Sequence, residues 1–393
     1  MSGGKTISPH PSSSFLPVSA KRGWCPSIYE PMQSGDGWLI RVKPPGGAIT
    51  SAEARIIAKA APGWIELTQR GNLQIRGLRE EDVAPFAAAM RSAGLASADP
   101  GIERRRNIIP PPLLGHDKTM LPGATEWLAE LERILAHDSL APLPGKFGLA
   151  LDAGGALPLT GISADLLLRL TPSGAELRLP GLVATNPSSQ IIAALLAACG
   201  PRRMRDTLVE EPGLLARLGL ATRSAPPEPP APNPIGALAD TFGLAPAFGQ
   251  MRGTDLQALA DLAEHHGSGM LRITPWRAIL LPGLRIAPDL SGFITDPADP
   301  RLILRACPGS AGCARGLADT RADAAHLAAQ AYLPGLLHLS GCAKGCAHPG
   351  PAPVTLVGQP GGRYALVRNG RAGDAPQRAG LTLAEAAAEM ELR

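Results

Sequence analysis

The sequence predicts an α+β protein built by duplication, and three features of the chain indicate this. Residues 66–78, ELTQRGNLQIRGL, align without a gap with residues 272–284, RITPWRAILLPGL, and share a Thr, a Gly and a Leu. A helical pattern of apolar residues precedes each copy, at residues 51–61 and 254–266. A proline-rich segment at residues 224–234, SAPPEPPAPNP, divides the chain near its middle and favours an extended linker.

Each copy is expected to form a helix followed by a strand, a turn and a second strand. Ser51 and Thr254 are predicted to cap the two helices, because hydroxyl side chains accept hydrogen bonds from the first free backbone amides. Further along, a third helix is predicted to begin at Asp319 or Thr320 and to stop before Pro334. The segment GLLHLS at residues 335–340 is predicted to be a strand.

Composition excludes several classes of function. The 393 residues are 45% hydrophobic, which is enough for two to four packed units. A net charge of only +4 with scattered basic residues, and an aromatic content of 4%, argue against a nucleic-acid partner. The N-terminal segment lacks the apolar core of a signal peptide, and no run of residues is long enough for a membrane span. We therefore expect a cytoplasmic protein.

Four of the six cysteines form two close pairs, which is the pattern of a metal centre. Five residues separate Cys307 from Cys313, and three separate Cys342 from Cys346. Disulfides are rare in a reducing cytosol, so these four thiols are predicted to be ligands. Structural zinc prefers shorter gaps than five residues, so a [4Fe-4S] cluster is favoured over zinc and over unliganded thiols. The remaining Cys25 and Cys199 are predicted to be structural.

The chain resembles the sulfite and nitrite reductase superfamily in these cysteine pairs and in several earlier motifs. The resemblance implies that Cys307, Cys313, Cys342 and Cys346 hold a [4Fe-4S] cluster, and that the last of them also bridges to the iron of sirohaem. RVKPPGG, LTQRGNLQIRG, RNIIPPP and LPGKFG resemble the segments that contact the tetrapyrrole and its anionic ligand. These motifs carry Arg41, Arg70, Gln74, Arg106 and Lys146.

The same residue types suit a polycarboxylate ligand on physical grounds. Guanidinium groups bind carboxylate oxygens in pairs of parallel hydrogen bonds, and a tetrapyrrole precursor carries many carboxylates. Dispersed arginines on strand ends therefore fit such a ligand better than one basic patch does.

The superfamily also implies an order of units along the chain. We expect a first ferredoxin-like half-domain at residues 22–95 and a first reductase-like α+β domain at 96–223. The linker at 224–234 leads to a second ferredoxin-like half-domain at 235–295. A second reductase-like domain with the four cysteines is expected at 296–393.

The sequence departs from the reductases beside Lys146. The reductases carry an arginine before this lysine and a second lysine two residues after it, whereas this chain has Gly145 and Gly148. Two small residues leave room for a larger substrate. The chain most resembles the oxygen-dependent branch of the superfamily that acts on precorrin-3A in cobalamin biosynthesis. That branch uses O2 and NADH-derived electrons to hydroxylate the macrocycle at C20 and to close a γ-lactone. A sirohaem-dependent nitrite or sulfite reductase is the alternative.

The group that activates oxygen is less defined by the sequence. Lys146, His116, Asp117, His338 and His348 are candidate catalytic residues, and the histidines and the aspartate are also candidate ligands for a mononuclear iron. The chain lacks the GxGxxG fingerprint of a dinucleotide site. We therefore expect a separate NADH-dependent reductase to supply the electrons.

Overall fold

The computed structural model describes residues 25–330, 333 and 335–391. In this part of the chain the strands are β1 (Met32–Ser34), β2 (Gly37–Val42), β3 (Ala48–Thr50), β4 (Trp64–Leu67), β5 (Leu73–Leu78), β6 (Ile108–Ile109), β7 (Leu149–Asp152), β8 (Leu166–Thr171), β9 (Gly174–Leu179), β10 (Leu182–Thr185), β11 (Thr222–Ser224), β12 (Gly236–Leu238), β13 (Thr241–Pro246), β14 (Gln250–Arg252), β15 (Met270–Ile273), β16 (Ile279–Pro282), β17 (Phe293–Ile294), β18 (Leu304–Ala306), β19 (Leu337–Ser340), β20 (Ala352–Gln359), β21 (Arg363–Gly370) and β22 (Arg378–Leu381).

The helices of the same part of the chain are α1 (Ser51–Ala60), α2 (Glu80–Ser92), α3 (Pro100–Arg105), α4 (Ala124–Ala136), α5 (Ser189–Cys199), α6 (Met204–Glu210), α7 (Leu214–Arg217), α8 (Gly253–His266), α9 (Gly309–Gly312), α10 (Thr320–Gln330) and α11 (Leu383–Glu391). Residues 22–24 and 392–393, at the ends of the predicted units, lie outside the described residues, as does the predicted helix end before Pro334. No helix among the described residues is long and apolar enough to cross a membrane.

The described strands form four sheets, which repeat two architectures. Sheet one has the order β1-β2-β5-β4-β14, and sheet three has the order β12-β13-β16-β15-β3 with β17 added beside β13. Sheet two (β11-β10-β9-β8-β7-β6) and sheet four (β18-β19-β20-β21-β22) each join three parallel strands to an antiparallel extension. The predicted duplicated α+β fold is confirmed, while the unit boundaries stay a prediction.

The two halves of the chain exchange one strand each. β3 belongs to the first half by sequence, but it pairs with β15 of the second half, with Ile49 opposite Leu271. β14 makes the reciprocal exchange and pairs with β4, with Met251 opposite Ile65. α1 and α8 follow these exchanged strands and pack against each other, and one cluster of buried side chains joins sheet one, α1, sheet three and α8. The two halves therefore share a core.

Both helix caps lie upstream of the predicted residues. Thr50 caps α1, because its Oγ1 accepts from the Glu53 amide at 3.2 Å while the Glu53 carboxylate accepts from the Thr50 amide at 2.7 Å. The prediction of Ser51 is wrong because its amide and hydroxyl both donate to the Gly269 carbonyl of the second half. The prediction of Thr254 is also wrong, because α8 begins at Gly253 and Arg252 is its N-cap residue.

Candidate functional site

A cavity of about 450 Å³ lies where sheet one meets the cysteine-bearing loops of sheet four. Its volume is within the range of small-molecule sites. Its lining brings together residues that are far apart in the sequence, and most of its charged groups are basic. The charged residues of the lining are Arg41, Arg70, Arg76, Arg277, Arg321, Lys344 and Glu66. The cysteines of the lining are Cys307, Cys313, Cys342 and Cys346.

Sheet one presents a row of polar side chains to this cavity. Arg41 lies opposite Gln74, and Gln74 lies opposite Glu66, in adjacent antiparallel strands. Arg41 Nη2 donates to Gln74 Oε1 at 2.9 Å, and Gln74 Nε2 donates to Glu66 Oε2 at 2.6 Å. Because side chains alternate along a strand, the neighbouring Leu73 and Ile75 point into the core, where both are fully buried.

Arg70 reaches the cavity from the turn between β4 and β5. Its Nη2 donates to the Lys146 carbonyl oxygen at 2.7 Å, which joins sheet one to the segment before β7. A side chain at Gly148 would meet the Arg70 guanidinium at 3.8 Å. Burial lowers the pKa of Arg70, with a smaller lowering from Arg41. Gly148 therefore lies beside Arg70, and the prediction that Gly145 and Gly148 leave room for a larger substrate stays a prediction.

Glu66 is a buried carboxylate that holds the arginines in place. Its Oε1 accepts from Arg321, at the start of α10, and its Oε2 lies 3.5 Å from Arg76 Nη1. Burial alone would raise the pKa of Glu66, but Arg321 and Arg76 lower it below its ordinary value. The carboxylate is therefore ionised, and it compensates part of the positive charge around the cavity.

Four guanidinium groups of the lining each have a buried nitrogen without a hydrogen-bond partner among the described residues. These atoms are Arg41 Nε, Arg70 Nη1, Arg277 Nε and Arg321 Nε. A buried donor without an acceptor is costly, so such atoms in native structures call for a missing ligand or water. Anionic oxygens placed in the cavity would supply the acceptors.

The cysteine loops are packed around glycines. Gly309 has φ +60°, and a Cβ there would lie 2.4 Å from the Ala318 carbonyl oxygen. A Cβ at Gly316 would lie 2.2 Å from the Gly309 carbonyl carbon, and one at Gly341 would lie 3.1 Å from the Gly309 Cα. Larger residues would therefore push the two cysteine pairs apart.

The described loops also direct polar groups at a cysteine sulfur. The Gly341 amide donates to Cys307 Sγ at 3.1 Å, and Thr320 Oγ1 lies 3.7 Å from the same sulfur. Amide donors to ligand sulfurs are a feature of iron–sulfur sites. Burial raises the pKa of the Cys346 thiol, and the other three cysteines raise it further, while Lys344 lowers it. All four cysteines line the same cavity.

The donor chemistry of the four thiols is compatible with a [4Fe-4S] cluster, whose ligands are four thiolates. Among the described residues, no three His, Cys, Asp or Glu side chains converge on one metal position. In a [4Fe-4S] cluster each thiolate binds a different iron, so the sulfurs surround a volume and do not converge on a point. The four thiols that line the cavity are soft donors, which is the ligand type that such a cluster takes.

The remaining predicted binding residues lie outside the cavity lining. Arg106 Nε donates to the Glu103 carboxylate at 2.5 Å, and Arg106 Nη2 donates to the Leu95 carbonyl at 2.8 Å. Lys146 contributes its backbone carbonyl to Arg70. Their predicted contacts with substrate stay predictions.

The candidate catalytic residues are divided between two regions. Asp117 accepts hydrogen bonds from the amides of Thr119 and Ala156, both at 2.7 Å, so its carboxylate organises a loop beside His116. His338 lies in β19, fully buried, with its ring centroid 5.8 Å from that of His348. Burial lowers the pKa of His338 to about 4, with smaller contributions from His348 and Arg277. The two pairs do not come together in one site, and the mononuclear iron stays a prediction.

Sequence reasoning missed several charged residues of the lining. Arg76 follows Gln74 by two positions on β5, so strand alternation could have placed it on the same face. Glu66 sits in the quoted repeat, but its burial follows from the sheet pairing. Lys344 lies between Cys342 and Cys346, so the cysteine pair could have indicated it, whereas only the folded chain brings Arg277 and Arg321 to the cavity.

The second copy of the repeat lacks the row of polar side chains that the first copy presents to the cavity. Positions 243, 272, 276 and 280 correspond to Arg41, Glu66, Arg70 and Gln74, and they carry Gly, Arg, Trp and Leu. Leu280 and Trp276 pack in an apolar cluster with Leu113 and Leu157. The buried Arg272 donates to the carbonyls of Pro111, Pro112 and Gly46. The equivalent face of sheet three is therefore covered by other segments of the chain.

Comparison with known proteins agrees with this architecture. Residues 30–93 and 239–287 match the nitrite/sulfite reductase ferredoxin-like half domain. The structure of the Mycobacterium tuberculosis NirA protein is similar to this chain, with a TM-score of 0.66 at 20% identity, over 89% of this chain and 79% of that chain. The fold and the site together define a protein of the nitrite and sulfite reductase superfamily.

Relatives that match most of this chain identify its branch of the superfamily. The precorrin-3B synthase of a Sinorhizobium species is 37% identical over 91% of this chain and 85% of that protein. The ferredoxin–nitrite reductase of Synechococcus elongatus is 25% identical, over 85% of this chain and 78% of that protein. The chain belongs to the precorrin-3B synthase family.

Proposed function

We propose that this chain is an oxidoreductase that converts precorrin-3A to precorrin-3B with O2. The observation that carries the proposal is the set of four buried, unpartnered guanidinium nitrogens around one cavity that also contains the four cysteines. The 37% identity with a precorrin-3B synthase supports the choice of substrate.

The arginines hold the macrocycle through its carboxylates in this proposal. A hydrogen bond to Gln74 orients the Arg41 guanidinium, and a hydrogen bond to the Lys146 carbonyl orients the Arg70 guanidinium. A guanidinium that is already oriented loses little side-chain entropy when it binds a carboxylate. Gly148 keeps a side chain away from the Arg70 guanidinium, which a Cβ there would contact at 3.8 Å, and in this proposal it leaves room for the edge of a large substrate.

Cys307, Cys313, Cys342 and Cys346 are proposed to hold a [4Fe-4S] cluster at one wall of the cavity. Such a cluster, when bound, transfers single electrons. The Gly341 amide donates to Cys307 Sγ, and Thr320 Oγ1 donates to the Cys307 carbonyl oxygen at 2.6 Å, so both residues keep Cys307 in position. In this proposal the electron path runs next to the substrate, because the four cysteines line the same cavity as the arginines.

The overall reaction balances with one external two-electron donor. One atom of O2 enters the product as the C20 hydroxyl group, and the ring A acetate closes the γ-lactone. The second atom leaves as water, with two electrons from NADH and two protons. A separate NADH-dependent reductase is proposed to deliver these electrons.

The test is an anaerobic purification followed by a turnover assay. Iron and sulfide analysis should give four of each per chain if one [4Fe-4S] cluster is bound. Precorrin-3A supplied with O2 and a reductant should gain one oxygen atom, and labelled O2 should label the product. The matched control without O2 should return precorrin-3A unchanged. Protein that carries sirohaem, reduces nitrite or sulfite and leaves precorrin-3A unchanged would establish the alternative function.

A further inference from the structure

Two turns related by the duplication differ in one respect that concerns the cavity. In the first half, glycines occupy the left-handed positions, with φ +57° at Gly46 and φ +65° at Gly71. The equivalent residues of the second half are Phe248 and Arg277, and they keep the same backbone, with φ +56° and φ +60°. Residues with a Cβ rarely adopt this conformation, which costs free energy, and glycine would avoid that cost.

Both of these side chains line the cavity. Non-glycine residues held in the left-handed region often mark functional sites, where the surrounding structure stabilises an unfavourable backbone. The strain alone does not identify a ligand, so the contacts of Arg277 decide its role.

The Arg277 guanidinium is buried, and its hydrogen bonds are incomplete. Nη2 donates to the Ala347 carbonyl oxygen at 3.2 Å, while Nε is buried without a partner among the described residues. Gly249 makes room for this side chain, because a Cβ there would lie 2.9 Å from Arg277 Cδ. The contact with Ala347 places the guanidinium next to the residue that follows Cys346.

Glu66, the acidic group of the lining, attracts Arg277 through space, but among the described residues it makes no ion pair or hydrogen bond with the Arg277 guanidinium. Glu66 is already bound by Arg321, Arg76 and Gln74. The other basic groups, Arg305 and Arg321, act on Arg277 with the same sign of charge. An anionic ligand is the partner that this environment favours.

We propose that Arg277 binds a substrate carboxylate, and that it fixes which edge of the macrocycle lies beside the Cys346 loop. Arg41, Arg70 and Gln74 come from the first half of the chain, so Arg277 adds a carboxylate-binding group from the second half. This inference rests on the proposed function, because it takes the ligand to be a polycarboxylate tetrapyrrole.

The test uses substitutions that the left-handed backbone favours. Arg277→Gly removes the guanidinium and relieves the backbone strain, and Arg277→Asn keeps a short polar side chain that tolerates the same φ. Arg285→Ala is the matched control, because Arg285 is a largely exposed arginine of the same half whose Nη2 pairs with Asp240 at 2.9 Å. Affinity for precorrin-3A is measured by anaerobic titration, together with melting temperature and iron content.

We expect Arg277→Gly and Arg277→Asn to bind precorrin-3A roughly ten- to a hundredfold more weakly, with iron content unchanged and melting temperature unchanged or raised. Arg285→Ala should bind like the wild type. Wild-type affinity in both Arg277 variants would overturn the inference and leave the proposed function standing. A lowered melting temperature with wild-type affinity would show that Arg277 only anchors the Ala347 loop. Failure of the wild-type protein to bind precorrin-3A would remove the proposed function and the inference together.

Discussion

Arg70 shows how a single cation is prepared for a ligand. Its turn is closed by the Gly71 amide, which donates to the Thr68 carbonyl at 3.1 Å, and by the Asn72 amide, which donates to Thr68 Oγ1 at 3.1 Å. Gly71 adopts φ +65°, which suits a residue without a Cβ. The short turn and the bond to the Lys146 carbonyl orient the guanidinium before any ligand arrives.

Arg70→Ala is expected to weaken precorrin-3A binding by about 1.5 to 3 kcal/mol, the range for a hydrogen bond to a charged group. Arg70→Lys should recover only part of this loss, since an ammonium cannot make the planar two-point contact with a carboxylate. Anaerobic tetrapyrrole titration at one fixed salt concentration measures the effect, and iron content should stay that of the wild type.

The exposed Arg285 again serves as the control, because Arg285→Ala removes one positive charge outside the cavity lining. An Arg70→Ala protein with wild-type affinity would place Arg70 outside the binding site. It would also weaken the assignment of the sheet one face to the macrocycle.

The site residues that were predicted from the sequence each belong to a short motif. Arg41, Arg70 and Gln74 belong to contiguous motifs, and the structure brings them to one cavity with the four cysteines. Arg277 and Arg321 were missed, because their position depends on pairing between segments about two hundred residues apart. Their roles in binding are proposals, as are those of Arg106 and Lys146.

At the scale of elements, the end of β2 is tied to the end of α3 by one buried lysine. Lys43 follows Val42, is only 4% exposed, and donates to the Glu103 carbonyl at 2.6 Å and the Arg104 carbonyl at 3.3 Å. Carbonyls in the last turn of a helix lack helical partners and accept such donors. Burial lowers the pKa of Lys43 to about 7, against a raising effect of Glu103 and lowering effects of Arg106 and Arg41.

This pKa predicts a pH dependence of stability. The ordinary pKa of 10.5 applies to the unfolded chain, so between about pH 7 and 10.5 the unfolded chain binds a proton that the folded chain does not. The Lys43 contribution to the free energy of unfolding should therefore rise with pH through this window. Lys43→Met lacks this group, so the difference between wild type and variant should grow in favour of wild type from about pH 7.5 to about pH 9.5.

Denaturant unfolding of both proteins at the two pH values measures this difference, and all other titrating groups cancel in the comparison. A difference that does not change with pH would contradict a depressed Lys43 pKa. A difference that falls with pH would mean that the folded chain holds the Lys43 proton more tightly than the unfolded chain does.

Helices and strands were predictable to the extent that their patterns are local. α1 and α8 lie within a residue of the ranges 51–61 and 254–266, since apolar periodicity defines them. The cap of α1 was misplaced because Ser51 uses its amide and hydroxyl to bind the Gly269 carbonyl, a contact between the two halves. The exchange of β3 and β14 depends on the same long-range pairing, for which a single sequence has no periodic signal.

For the whole molecule, the duplication explains why the cavity lies where it does. The first half supplies the polar face of sheet one, and the unit that follows the second copy supplies the cysteine loops. Ser34 Oγ donates to the Gly312 carbonyl at 3.2 Å, and Arg76 donates to the same oxygen, one residue before Cys313. Arg277 makes a comparable contact with Ala347, one residue after Cys346. Both cysteine loops are therefore connected to the arginine-bearing surface.

Because of these connections, loss of the proposed cluster is expected to affect the stability of the whole molecule. Cys342→Ser and Cys346→Ser are each expected to lose most of the iron and the brown colour, and to lower the melting temperature, because binding of a cluster by the folded chain contributes to folding free energy.

Cys199→Ser is the matched control. Cys199 is fully buried in a separate core, where its Sγ donates to the Leu195 carbonyl at 3.4 Å, so its loss should leave the iron content unaltered. Iron and sulfide analysis of the anaerobically purified proteins, with thermal unfolding of each, makes the measurement. Full retention of iron in both Cys342→Ser and Cys346→Ser would refute the four-thiolate assignment, and with it the proposed electron path to the cavity.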